Sequence, residues 1–183
     1  MENELLHPSD LPFGLPDFTA ITPAKVREAL QIGMEQEAQQ WQAIAEDPQA
    51  PNVINTVIAI DAAGAVLGRA ETAFFVFLSS IGGADWEAIF EEFAPKLSQH
   101  ADSFWLSEAL YGRLLEVSKQ DLDDETGHFV RDLLDDFRRS GVELDAASKD
   151  ALRALNAQIA TLEAQIDARI NRQLEQAGSQ GEN

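Results

Sequence analysis

The strongest constraint on the fold is a set of segments in which apolar residues recur every three or four positions. The clearest segment follows Asp145 and carries Leu152, Leu155, Ile159, Leu162, Ile166 and Ile170. This spacing places apolar side chains on one face of an α-helix, whereas a half-buried strand would show strict apolar and polar alternation. No such alternation occurs in the sequence. The pattern therefore predicts an all-α protein.

Start and stop signals delimit about six helices in a bundle. Thr22 is a typical N-cap followed by Pro23, and Asp47-Pro48 ends that first helix. The second helix is predicted to begin near Asn55 and to run to Gly82-Gly83 at the centre of the bundle, because it is apolar on most sides. The remaining helix starts are predicted at Asp85, Ser107, Asp123 and Asp145, with a kink at Pro95 and a helix end at Gly141.

The two ends of the chain differ from this helical domain, which we place at residues 21–177. Residues 1–20 contain Pro8, Pro12, Pro16 and Gly14, which disfavour helix and predict an extended arm. The arm also carries Leu5, Leu6, Leu11, Phe13, Leu15 and Phe18. Because these side chains are too apolar for a solvated linker, we expect the arm to pack on the body. Residues 178–183 are polar and are predicted to form a disordered tail.

The charge balance narrows the possible partners. Thirteen Lys and Arg residues against 32 Asp and Glu residues give a net charge of −19. Such a surface repels nucleic acid and anionic membranes, since binding phosphate needs clustered cations. The excess acid is expected to keep the protein soluble, and the alternative role is attraction of basic peptides.

Three further features of the sequence concern the cellular location of the protein. The sequence has no Cys, which excludes disulfides and thiolate metal sites. The acidic first residues lack the basic region of a signal peptide. Asp61, Arg69 and Glu71 interrupt the apolar spans before the ~20 residues that a membrane crossing requires. A cytoplasmic location without membrane contact is therefore predicted.

No catalytic, metal-binding or substrate-binding residue can be assigned from these patterns. His7, His100 and His128 are far apart, and none begins a His-Glu-x-x-His motif, so they are interpreted as surface or packing residues. Residues 121–127 fail as a calcium loop, because Thr126 occupies the position that needs Gly and Asp132 the position that needs Glu. Those acidic residues are instead expected to complement the dipole of a helix start.

Three further patterns in the sequence do not indicate a catalytic site. The adjacent carboxylates Glu91 and Glu92, and Asp135 and Asp136, point in different directions on a helix. The sequence has neither a Gly-x-Ser-x-Gly elbow nor a phosphate-binding loop. The aromatic residues Phe74, Phe75 and Phe77 are interpreted as core.

A series of short motifs resembles one known family in order and spacing. It opens with Leu5-Leu6-His7-Pro8-Ser9-Asp10-Leu11-Pro12-Phe13-Gly14-Leu15-Pro16-Asp17-Phe18 and continues with Gly33-Met34, Ile44, Asp47-Pro48, Asn55-Thr56, Arg69 and Phe74-Phe75. It then includes Glu92-Phe93-Ala94-Pro95-Lys96-Leu97, His100, Asp102, Phe137-Arg138-Arg139-Ser140-Gly141, Leu144, Lys149, Leu152, Leu155-Asn156 and Leu162. Together these motifs resemble the N-terminal helical region of the thimet oligopeptidase and bacterial peptidyl-dipeptidase family of zinc metallopeptidases, over roughly residues 3 to 165.

The resemblance implies an N-terminal domain that forms one wall of the substrate channel in a long helical enzyme for oligopeptides. In that family the zinc is held by a His-Glu-x-x-His helix and a later Glu, all downstream of the matched part. No zinc-binding or catalytic residue is therefore transferred to this chain, and we expect no cofactor in it and no activity from it alone.

Two interpretations remain open at this stage. The chain departs from the family at Ile166 and Arg169, where relatives tend to have Phe and Asn, and it closes in a polar segment. One interpretation is a part of a full peptidase, whose remainder contacts this domain. The other is a stand-alone, non-catalytic interaction or oligomerisation module that pairs with a partner helix along the stripe from Leu152 to Ile170.

Overall fold

The chain folds as a helical bundle in the computed structural model, which describes residues 3–180 apart from the side chains of residues 172 and 174–180. Its helices are α1 (Pro23–Ala45), α2 (Ala59–Asp61), α3 (Ala65–Ser80), α4 (Ala84–Trp105), α5 (Glu108–Val117), α6 (Asp124–Arg139) and α7 (Ala146–Gln180). A π-helical segment, Val53–Ile58, leads directly into α2. No strand occurs within the described range. The predicted all-α fold is confirmed.

Side-chain caps begin most of the helices where the sequence predicts them. The Thr22 hydroxyl accepts a hydrogen bond from the Lys25 amide (3.3 Å) at the start of α1. Equivalent caps are made by Ser107, Asp123 and Asp145 for α5, α6 and α7. The predicted cap at Asp85 is wrong, because α4 starts at Ala84 with Gly83 in the N-cap position. Asp85 lies in the first turn, where its charge complements the helix dipole.

The second helical region differs most from the prediction. It begins at Asn52, whose side chain accepts hydrogen bonds from the amides of Ile54 (2.9 Å) and Asn55 (3.0 Å). Asn55 is not the cap. Its own side-chain oxygen accepts a hydrogen bond from the Asn52 amide (2.8 Å), which completes a reciprocal capping box. The predicted single helix is also broken before α3 by Gly64, which has a φ of 76°.

Two clusters of buried apolar residues form the core. The first joins α1, α3 and α4 and contains Val26, Leu30, Phe74, Ile89 and Phe93. The second joins the end of α4 to α5 and α6 and contains Phe104, Leu110, Leu114, Val130 and Phe137. Helix α3 contacts both α1 and α4 in the first cluster, which explains why it is apolar on more than one side.

The N-terminal arm is docked on the body mainly through its first residues, and the ring of Phe18 contacts that of Phe77 on α3 (6.0 Å between ring centres). Leu5 is 1% exposed and joins the first core cluster. The Arg69 guanidinium donates hydrogen bonds to the carbonyl oxygens of Leu5 and Leu6, each at 3.1 Å. In contrast, the side chains of Leu11, Phe13, Leu15 and Phe18 are exposed, and Phe13 is 99% exposed. The arm also contains two short 3₁₀ turns, Glu4–Leu6 and Pro12–Gly14, and so is not extended throughout.

Two further predictions concern the chain end and the membrane. Residues 181–183 of the predicted disordered tail lie outside the described residues, and the backbone of residues 178–180 belongs to α7. By length and composition alone, the segment Val53–Ser80 is apolar enough to cross a membrane. Within it, Leu67, Ala70 and Phe74 are buried in the core. The absence of membrane contact and the cytoplasmic location stay predictions.

Candidate interaction surface

The longest helix, α7, packs on the body through its small residues. Ala164 and Ala168 are buried, and the Asn156 amide donates a hydrogen bond to Asp102 on α4 (2.8 Å). Lys149, which is 4% exposed, pairs with Glu108 at the start of α5. Small side chains let two helices approach closely, and these polar contacts hold the register between α7 and the bundle.

The large apolar residues of α7 lie on the opposite side of the helix. At about 100° per residue, Ala164 and Ile166 point about 160° apart. Five side chains on this outer side are each 47–57% exposed: Leu155, Ile159, Leu162, Ile166 and Ile170. We call these five residues the outer stripe. The predicted apolar stripe is therefore present, but apart from its first residue, Leu152, which is half-buried against Gly141, it does not join the core.

An exposed stripe of this kind is a recognised mark of an interaction surface. Single exposed apolar residues are normal, but contiguous patches of several hundred Å² usually bind another protein, a membrane or a ligand. Full burial of one such side chain contributes about 1.5–3 kcal/mol, and each residue of the outer stripe is only half-buried. A partner that covered all five would therefore gain several kcal/mol from burial alone.

The three histidines are placed in different surroundings and do not meet. His7 is exposed in the arm, and His128 is exposed on α6, 3.5 Å from Asp132. The side chain of His100 on α4 is 10% exposed, its Nε2 lies 2.6 Å from Oε2 of Glu37 on α1, and its ring stacks on Trp41 (4.6 Å between ring centres). The interpretation as packing or surface residues fits this geometry. The described residues contain no group of three or more His, Asp or Glu side chains that could hold a metal ion.

A half-buried carboxyl, Glu71 on α3, completes the polar surroundings of His100. Burial raises its pKa, the neighbouring charge of Glu37 raises it further, and the charge of His100 opposes the rise. No sequence pattern indicates this grouping of residues from three helices. Glu37 and His100 are 63 positions apart, and no local motif links them.

The acidic runs singled out in the sequence serve local structure. Asp123 caps α6 by accepting hydrogen bonds from the amide and hydroxyl of Thr126 (2.9 and 2.8 Å), and these bonds lower its pKa. Glu92 binds both Lys96 and Arg27 (2.8 Å each), which lowers its pKa in the same way. Asp135 and Asp136 each pair with an arginine three positions along the helix. Asp123 and Asp135 also line one depression of about 490 Å³, together with Arg131 and Arg138.

The zinc implied by the family resemblance does not fit the residues of this chain. Zinc sites in peptidases use three protein ligands that converge from histidine and carboxylate side chains. The histidine in the described structure that contacts a carboxylate at hydrogen-bond distance, His100, does so as part of helix packing. We therefore derive no catalytic step from this chain.

Comparison with known proteins finds two bacterial enzymes that are similar to this chain. No family model matches the chain. The chain is 31% identical to a dipeptidyl carboxypeptidase of Salmonella typhimurium over 172 residues, which are 92% of this chain and 25% of that protein. It is 30% identical to the dipeptidyl carboxypeptidase of Escherichia coli over the same shares of both chains.

The chain thus spans about a quarter of the length of the curated relatives it matches. The relationship covers 92% of this chain. It confirms the resemblance predicted from the sequence: the chain is similar to part of the bacterial dipeptidyl carboxypeptidases.

Proposed function

We propose that this chain is the N-terminal helical domain of a zinc-dependent peptidase that releases dipeptides, where it forms part of the wall of the substrate channel. The observation that carries the proposal is the outer stripe of α7 in a chain that spans about a quarter of its relatives. A domain that packs against the rest of an enzyme needs such an uncovered apolar face. The channel wall itself is the role that the family resemblance implies.

The way α7 is attached supports this assignment. Its inner face binds the bundle through Ala164, Ala168 and the bond between Asn156 and Asp102, so the helix is held without its largest side chains. The leucine and isoleucine residues of the outer stripe, which are about half exposed, are then available to a second surface. In the proposed enzyme, that surface belongs to the remainder of the peptidase.

On this proposal, the isolated chain has no peptidase activity. Peptide hydrolysis in the family relies on a zinc-activated water, and the described residues do not provide the ligands for that metal. The domain would contribute shape and access, while the chemistry would come from the remainder of the enzyme.

A peptidase assay tests this proposal directly. The purified chain, incubated with zinc and an oligopeptide blocked at its N-terminus, is expected to release no dipeptide. The dipeptidyl carboxypeptidase of Escherichia coli serves as the positive control. Dipeptide release that a metal chelator abolishes would contradict the proposal. A reading frame that continues beyond residue 183 into a His-Glu-x-x-His helix would support it from the gene.

A second function is favoured by the spacing of the outer stripe. Leu155 and Ile170, and Ile159 and Ile166, lie at nearly equal distances on either side of Leu162, so two antiparallel copies of α7 could pair side by side. On this alternative the chain is a stand-alone dimerisation module. Light scattering at high micromolar concentration separates the two: a dimer that the triple substitution Leu155→Ser, Ile159→Ser and Leu162→Ser converts to a monomer favours the module.

A further inference from the structure

A groove between α3, α4 and α7 differs in chemistry from every surface considered so far. It has a volume of about 430 Å³. Its floor is apolar and is formed by Phe75, Leu78, Phe90 and Ile170, the last of which belongs also to the outer stripe. A second recess of about 220 Å³, beside the turn at Gly82, continues the groove and shares Leu78 with it. The two depressions also share Glu87 and Asn171, so they form one continuous surface feature.

Two aromatic rings line the floor and contact each other. The rings of Phe75 and Phe90 meet edge to face, with 6.3 Å between their centres and an angle of 75°. The buried ring of Phe74 supports Phe75 from below at 5.1 Å. Phe75 nevertheless keeps 45% of its surface exposed. The exposed face of an aromatic ring attracts the positive head of a Lys or Arg side chain. The aliphatic stem of the same side chain can pack against the ring.

The polar groups of the groove carry negative charge. Glu87 on α4 is half-buried and lines both the groove and the adjoining recess, and Asp167 on α7 lies on the rim. Within the described part of the chain, neither carboxylate has an ion pair or a side-chain hydrogen bond, and no described lysine or arginine lines the groove. Glu92 on the same helix α4, in contrast, is paired with Lys96 and Arg27.

We propose that this groove binds a cationic, amphipathic peptide segment, in which an arginine or lysine lies beside an apolar residue. The apolar side chain would cover Phe75 and Ile170, and the cation would reach Glu87 across the ring of Phe90. A purely apolar ligand fits less well, because it would cover the half-buried Glu87 without giving the carboxylate a partner. The inference does not depend on the function proposed above.

The charge of the whole molecule favours the same occupant. A net charge of −19 attracts cationic ligands over long distances and raises their association rate at low salt. The same charge opposes a second copy of this chain, which has 32 acidic residues against 13 basic ones. An anionic peptide or a nucleic acid would meet repulsion both at the groove and across the surface.

Two matched peptides test the ligand chemistry. One is a fluorescein-labelled amphipathic peptide of leucine and arginine, and the other has every arginine replaced by citrulline, which has nearly the same shape but no charge. Fluorescence anisotropy at about 0.15 M salt is expected to show at least about tenfold tighter binding of the arginine peptide. Equal binding of both peptides, or no binding of either, would overturn the proposal.

Two matched double variants test the location. Glu87→Gln with Asp167→Asn is expected to weaken binding of the arginine peptide by about tenfold. Glu91→Gln with Glu163→Gln removes the same charge from exposed positions of the same two helices outside the groove, and it is expected to change affinity less than about twofold. Equal weakening by both variants would show attraction by net charge alone and would overturn the site. Thermal unfolding of each variant, and the single substitution Glu87→Gln, verify that any loss does not come from misfolding.

Discussion

Glu71 is a residue whose ionisation opposes the fold. It lies on α3 beside Glu37 and His100, where α1, α3 and α4 meet. Burial removes water from its carboxylate, and the negative charge of Glu37 is close enough to repel it, so its pKa lies above the ordinary value of 4.5. A carboxyl of this kind binds more protons in the folded than in the unfolded protein. Its contribution to stability is therefore present at low pH and is lost as the pH rises through the folded pKa.

Replacing this carboxyl by its neutral analogue should stabilise the protein at neutral pH. We expect Glu71→Gln to raise the melting temperature at pH 7 by about 1–3 °C, because the amide has no charge to desolvate or repel. The gain should shrink as the pH is lowered toward 4.5, where the wild-type carboxyl takes up its proton. Thermal unfolding followed by circular dichroism across this range measures the effect.

Glu35→Gln is the control, since it removes one charge from an exposed position on α1. An equal gain in this control would assign the stabilisation to the net charge of −19 and not to the position of Glu71.

Gly33 is required for the close approach of α1 and α3. A Cβ atom at this position would lie 2.7 Å from both Cα and N of Leu67. Because these are backbone atoms, they cannot rotate away, and the two helices would have to separate. We expect Gly33→Ala to lower the free energy of unfolding by about 1–3 kcal/mol, although alanine has the higher helix propensity. Urea unfolding measures this loss.

Gly68 provides a matched comparison on α3, because nothing lies within 4 Å of a Cβ placed there. Gly68→Ala should stabilise the protein by up to about 1 kcal/mol through helix propensity alone. If both alanine variants were stabilised, the close contact between the helices would be wrong.

At the scale of elements, the arm combines one anchored segment with one uncovered segment. Leu5 is buried in the first core cluster, and Asn3 donates a hydrogen bond to the carbonyl of Lys25 on α1 (2.8 Å). Eight residues later, Phe13 is fully exposed in a turn with a φ of 63°. The expectation that the whole apolar set of the arm packs on the body is thus met at Leu5 and not at Phe13.

Two substitutions separate these segments. Leu5→Ala should cost about 2–5 kcal/mol, the usual cost of a cavity in a core, and should lower the melting temperature as deletion of residues 1–20 would. Phe13→Ala should change the free energy of unfolding by less than about 0.5 kcal/mol, because its ring contacts solvent. Urea unfolding of both variants decides the matter. A large loss for Phe13→Ala, or none for Leu5→Ala, would contradict the described docking.

Helix α7 shows the same division within one element. Its alanine face and Asn156 bind the bundle, whereas the outer stripe remains about half exposed. Helix packing on α4 needs a close approach, which small side chains permit. The larger side chains are therefore available for a partner, as the proposed function requires.

At the scale of the whole molecule, two core clusters are joined by helices that contribute to both. Helix α1 carries Leu30 in the first cluster and Ile44 in the second, and α4 carries Phe93 in the first and Phe104 in the second. Long helices that extend through both clusters make the bundle continuous. The two candidate surfaces, the outer stripe and the groove, meet at Ile170 at one end of this body.

A candidate site could be predicted from the sequence only where its residues are close together in the chain. The outer stripe was visible because its residues recur along one helix. The groove was not, since Phe75, Glu87 and Asp167 come from three helices and no pattern in the chain links them. Phe75 in particular was interpreted as core, yet 45% of it is exposed.

The sequence by itself determined the helices, most of their caps and the family relationship, because each depends on residues that are neighbours in the chain. Thr22, Ser107 and Asp123 cap helices through bonds to amides three positions away, which a linear pattern can reveal. The tertiary structure alone decided which face of α7 is covered and which carboxylates remain unpaired. Those outcomes depend on the distance between helices and on the access of water, and these quantities exist only once the chain has packed.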